Sequence, residues 1–214
     1  MSSIALRQHQ IKDTPIGEIP FAHNYLVRYD DDGNMVSELH GLAYDPVKDE
    51  YVSVGRSSDY LRVQEYPGGK SGLYLPGQHE KILLDRPGDD LGAEWQTLRD
   101  TGDKINRKGL TYIWAGSDMN GPRDWDAPVP DVISGNSNSV NRTLLDALRI
   151  PVPSMPLWAP GKENPLLRKE ELFPPQPQGG LLSPGLPKAG LLSPSQPNDG
   201  LSMQPRQGLL GPIY

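Results

Sequence analysis

The chain has 214 residues, no cysteine and a formal net charge of −6, with 36% hydrophobic residues, 23 glycines and 23 prolines. The lack of cysteine excludes disulfides, thiolate metal sites and a cysteine nucleophile. An acidic balance with no basic block argues against nucleic-acid binding. So much Pro and Gly beside so few apolar residues implies one globular domain plus an extension without a core of its own.

Residues 1–20, polar and carrying Pro15 and Pro20, read as an N-terminal arm or edge segment. Met1 to Asp13 has no apolar run of signal-peptide type. No run reaches the length of a membrane span. The location is left open by the sequence; a virion and export without a classical signal are the two options it admits. Residues 21–150 read as an α+β domain. Phe21–Tyr29 and Met35–Tyr44 form a predicted β-hairpin around Asp30-Asp31-Asp32-Gly33-Asn34. That acidic turn lacks the Gly and Glu spacing of a calcium loop. Tyr51–Val54 and Tyr60–Tyr66 are further predicted strands. Gly69-Lys70-Ser71 imitates the end of a phosphate loop, but Gln64 stands where the loop needs Gly. Lys81–Leu84 is a short apolar run, Asp89–Asn106 a predicted helix with Leu91, Trp95 and Leu98 on one side, and Leu110–Trp114 a predicted strand. Ser117–Pro130 is a predicted loop.

The next stretch, Gly135-Asn136-Ser137-Asn138-Ser139-Val140, leads into a predicted helix whose Val140, Leu144, Leu145 and Leu148 share a face. Ser137 and Ser139 are both placed to cap it. A hydroxyl at a helix N-terminus is also where a nucleophile sits beside N–H groups able to hold an oxyanion. Hairpin pairing brings His23 and His40 within range of one another. The three residues then admit a constellation: Ser137 as nucleophile, His23 as base and His40 orienting the ring of His23. Asn136 and Asn138 are candidates for the substrate or oxyanion side of the pocket. Each histidine also has a plain reading as a packed strand residue, and Ser137 as a cap.

The order of these residues resembles the circularly permuted papain-like hydrolases, the group of lecithin–retinol acyltransferases and NlpC-type cell-wall peptidases. In that group a strand-leading histidine, a polar residue on the next strand and an Asn-Cys helix start follow one another. The matching positions are His23-Asn24-Tyr25-Leu26-Val27, His40 and Asn136-Ser137-Asn138-Ser139-Val140. The resemblance covers about residues 20–150 and departs at the nucleophile, where Ser137 replaces the family's Cys. It implies a small antiparallel sheet with a papain-like helix packed on it, and an amidase or peptidase without cofactor. A zinc site from His23, His40 and Asp118 has no close-spaced ligand pair to support it, so no metal is expected.

Of the 23 prolines, 14 lie from Pro151 onward. Residues 151–178 read as a Pro-rich linker, with one helical turn at Arg168–Leu172. Residues 179–214 form an extended Pro/Gly-rich tail in which Gly-Leu-Leu-Ser-Pro recurs loosely. Its leucine pairs Leu181 and Leu182, Leu191 and Leu192, and Leu209 and Leu210 are spaced like anchors on an extended peptide. They are the expected contacts to protein partners in a multi-subunit assembly. The second functional reading is accordingly a non-catalytic adaptor of a phage particle or secretion machine.

Overall fold

The computed structural model describes residues 1–11, 21–52, 55–88, 91–113 and 134–175. The chain divides into two units, 1–176 and 177–214, and the second lies outside the described residues, as do the tail leucines, Asp118 and the Ser117–Pro130 loop. The first unit is α+β. Its strands are β1 (Ser2–Ile11), β2 (Phe21–Tyr29), β3 (Met35–Asp45), β4 (Glu50–Val52), β5 (Tyr60–Pro67), β6 (His79–Arg86), β7 (Thr111–Tyr112) and β8 (Ser134–Gly135). Its helices are α1 (Gly92–Arg107), α2 (Ser137–Ala147) and the single turn α3 (Lys169–Leu172). The order across the sheet is β6-β1-β2-β3-β5-β7-β8, with β4 hydrogen-bonded to β3. All pairings are antiparallel except β7 with β8. With eight strands among the described residues, the sheet is larger than the small one expected.

Alternation along the strands sorts side chains onto two faces. Ile4, Leu6, Leu26, Leu39, Ala43, Leu61 and Val63 join one apolar cluster with Trp95, Leu98 and Ile105 of α1 and Val140, Leu144 and Leu145 of α2. The apolar positions of both helices recur every three or four residues, and this is the stripe they bury. Each fully buried Leu or Val contributes about 1.5–3 kcal/mol relative to exposure. Arg7, His23, Tyr25, Tyr29, Glu38 and His40 fall on the opposite, polar face. The segment 68–78 is bonded to that face. Ser71 N–H donates to Glu38 Oε2 at 3.2 Å, Arg7 Nη2 donates to the Leu75 carbonyl at 3.2 Å, and the Arg7 guanidinium lies 4.0 Å over the Tyr74 ring.

Two expectations are corrected. Residues 2–11 are not an arm. They form β1, between β2 and β6, and Ile4, Ala5 and Leu6 are fully buried. Its apolar residues are too few to announce a strand, because half its inward positions face the polar side. Residues 151–175 do not behave as a free linker. Leu166 and Leu167 enter the apolar cluster, Leu166 N–H donates to Thr143 Oγ1 at 2.7 Å, and Leu157 exchanges two hydrogen bonds with the amide of Gln8. Proline removes donors but not hydrophobic area, so a Pro-rich strip still packs where its leucines face a core.

Candidate functional site

The site is built where β2 and β3 part. Their pairing runs from Tyr29 opposite Met35 to Tyr25 opposite His40, and ends there. β2 nevertheless continues beside β1 to Phe21, and β3 beside β5 to Tyr44. The first turn of α2 occupies the gap. Asn138 Oδ1 accepts from the Asn24 N–H at 3.1 Å, and its Nδ2 donates to the Ala22 carbonyl at 3.1 Å. The side-chain amide thus replaces the missing strand on both sides of His23. Asn141 Nδ2 donates to the Asn24 and Ser137 carbonyls. From the β3 side, Gly41 admits the turn. A Cβ at that position would lie 2.7 Å from Val140 Cβ and 3.0 Å from Ser137 Cα, so only glycine fits without a shift.

On the polar face, His23 Nε2 and His40 Nδ1 are 3.0 Å apart. The two rings are stacked with centroids 5.3 Å apart, and Tyr25 stacks on His40 at 4.4 Å. Tyr66 meets His40 edge-on at 5.4 Å. His40 Nε2 faces Glu38 Oε2 at 3.6 Å, longer than a hydrogen bond. His23, Glu38 and His40 are all 0% exposed. His9 sits opposite His23 in the β1–β2 register, with its Nδ1 engaged by the Leu73 carbonyl and Gln78. Burial holds the His23 ring well below the usual imidazole range, and His40 and His9 push it the same way. Burial also lowers His40, against an opposing pull from Glu38. Glu38 is raised by burial but held below the usual carboxylate range by His40 and the Ser71 N–H.

Of the residues singled out in the sequence, His23 and His40 are therefore in direct contact. Ser137 is the first residue of α2; its Cα packs by Gly41 in the direction of the Leu39 and Ala43 side chains, on the face away from the imidazoles. Its hydroxyl is not a partner of His23 Nδ1 or of His40 Nε2, both of which are buried without a hydrogen bond. The helix cap is Asn136 rather than either serine. Its Oδ1 accepts from Asn138 N–H and Ser139 N–H at 3.0 Å each, and its Nδ2 donates to the Pro160 carbonyl at 2.9 Å. Asn138 Nδ2 is shared between Ala22 and the same Pro160 carbonyl. The Asn136 and Asn138 side chains are thus spent on holding the wedge. The N–H at this helix start that the Asn136 cap leaves uncommitted is that of Ser137. Sequence reasoning missed Glu38 and His9. The signal for Glu38 was the two-residue alternation that sets it on the same face as His40. His9 carried no local signal, because its role follows from the register of β1.

Among the described residues, no group of three or more His, Asp or Glu is arranged to hold a metal, and no helix is long and apolar enough to cross a membrane. Searches of protein-family models, curated proteins and solved structures find no match to this chain.

Proposed function

We propose that this protein is an amide-bond hydrolase, a peptidase or peptidoglycan amidase on a circularly permuted papain-like core, with Ser137 as nucleophile and His23 as base. The observation that carries the reading is the wedge. The first turn of α2 is hydrogen-bonded to the residues on either side of His23 and packed against the residue after His40. The α2 apolar stripe lies on the helix-bearing face and the imidazoles on the other, and the Asn138 side chain closes the gap between β2 and β3 at this turn. His23 uses Nε2 toward His40, so the nitrogen left for proton transfer is Nδ1.

The chemistry then runs in two steps. Ser137 Oγ turns toward His23 Nδ1, gives it a proton and bonds to the amide carbon. The C–N bond breaks as the imidazolium returns that proton to the leaving nitrogen, giving an amine and an acyl-serine. Water, deprotonated by the same nitrogen, attacks the acyl carbon and releases a carboxylic acid with Ser137 restored. The Ser137 N–H is the donor for the oxyanion. A serine hydroxyl is a far weaker acid than a thiol, so this site depends on its base more than a cysteine enzyme does. The leucine-paired repeats of residues 179–214 tether the hydrolase to protein partners in a larger assembly.

The complete burial of His23, His40 and Glu38 favours a second reading, in which the domain is a non-catalytic adaptor with its histidines serving as packing. A serine-directed fluorophosphonate probe, applied to the full chain beside peptide-amide and peptidoglycan substrates, separates the two. The hydrolase labels at Ser137, and Ser137→Ala abolishes labelling and lowers any cleavage by at least about 10³-fold. A folded wild-type chain that takes no label, or cleavage that survives Ser137→Ala, overturns the hydrolase and leaves the adaptor.

A further inference from the structure

The polar face holds a third member of the histidine chain. Glu38 is 0% exposed, and one oxygen accepts the Ser71 N–H at 3.2 Å and faces His40 Nε2 at 3.6 Å. Its other oxygen, Oε1, has no hydrogen bond. A carboxylate so deeply buried strongly disfavours an imidazole lone pair pointed at it and favours an N–H there. That single preference propagates. With the His40 proton on Nε2, His40 Nδ1 is an acceptor. The 3.0 Å contact then requires His23 to donate from Nε2. His23 must in turn carry its lone pair on Nδ1, the buried nitrogen without a partner. The opposite tautomer would set two lone pairs, those of Glu38 and His40 Nε2, against each other.

We propose that Glu38 is a positioning residue, which fixes the tautomers of His40 and His23 so that His23 Nδ1 is the basic nitrogen. Tyr25 stacked on the His40 ring and Tyr66 packed perpendicular to it oppose its turning. Segment 68–78 belongs to the device, since its Ser71 N–H holds the carboxylate in place. The chemical use of the polarised nitrogen rests on the hydrolase reading. The tautomer assignment does not.

Histidine-selective ¹⁵N NMR of the full chain near neutral pH tests it. The expected spectrum has protonated Nε2 and proton-free Nδ1 on both His23 and His40. Glu38→Gln removes the charge that selects the tautomer, and both histidines become mixtures. Glu38→Asp keeps the charge and the wild-type pattern. In the activity assay Glu38→Gln lowers kcat by about 10²-fold with KM little changed and moves the acidic limb of the pH profile, along which His23 loses its lone pair to a proton; His9, Tyr25 and Tyr66 lie against the same pair of rings, and Glu38→Asp restores most of the rate. A wild-type spectrum with the proton on His40 Nδ1 or His23 Nδ1 overturns the proposal, as does a Glu38→Gln spectrum identical to wild type. Should Glu38→Gln not fold, the wild-type spectrum alone decides. An unlabelled Ser137 with the expected tautomers would sink the hydrolase and leave the Glu38 assignment standing.

Discussion

The two faces of the sheet are held by different physics. The helix-bearing face is a contiguous apolar cluster from Ile4 to Leu172. Its attraction is non-directional, so shape and volume set its strength. The polar face carries Arg7, His23, Tyr25, Tyr29, Glu38 and His40, linked by specific contacts such as Arg7 to Tyr29 at 2.8 Å and Tyr29 to Glu80 at 2.6 Å. It also buries Arg7 Nε, His23 Nδ1, Glu38 Oε1 and His40 Nε2 without hydrogen bonds. Buried polar atoms left unsatisfied cost stability, so a face that retains several of them is shaped by something other than stability. The apolar face secures the domain, and the polar face spends part of that stability to hold a chain of ionisable groups in one arrangement.

That contrast breaks most visibly in the apolar cluster. Leu144 is 0% exposed and packs between α2 and the sheet. Leu144→Ala is expected to lower unfolding free energy by about 2–5 kcal/mol in chemical denaturation, with the histidine NMR pattern retained in the folded fraction. A loss below about 1 kcal/mol would mean that the helix does not anchor this face.

The wedge between the faces gives a smaller effect. Asn138→Ala strips partners from the Asn24 N–H and the Ala22 carbonyl, and costs about 1–3 kcal/mol for each group left buried. Calorimetry measures the stability loss. Amide exchange at Asn24 reports the opening of the gap directly, and exchange there as slow as in wild type would show that the side chain is not the surrogate strand.

The smallest and most specific effect is on pH. Burial lowers both His23 and His40 below their unfolded values, so the unfolded chain takes up protons first as pH falls. The stability that the neutral pair contributes is complete above about pH 6.5 and is lost below it, by up to about 1.4 kcal/mol per pH unit for each histidine. His9 and Glu38 face the same pair, one opposing and one favouring its protonation. Urea midpoints between pH 5 and 7.5 measure the slope. His23→Gln is expected to flatten it, and an unchanged slope would place the acid sensitivity elsewhere.

Much of this domain could be read from the chain. The hairpin from Phe21 to Tyr44 around its Asp-rich turn, the stripe Leu91, Trp95 and Leu98, and the stripe Val140, Leu144 and Leu145 were local patterns. Each corresponds to an observed element, because a period of two or 3.6 residues is set by backbone geometry within a few residues. The meeting of His23 with His40 followed from pairing within one hairpin. β1 was not readable, since its residues serve two faces with different chemistry. Nor were the roles of Asn136 and Asn138, which depend on main-chain groups of Pro160, Ala22 and Asn24 more than twenty residues away.

The sequence by itself determined the Phe21–Tyr44 hairpin, the stripes of α1 and α2, and that no thiol chemistry is possible. Tertiary structure alone decided that β2 and β3 separate beyond Tyr25 and His40, that Asn138 fills the gap, and that Glu38 stands behind His40. The reason is range. Propensity and periodicity act along neighbouring residues, whereas a buried polar group takes whatever partner the packed fold brings within hydrogen-bonding or charge-contact reach.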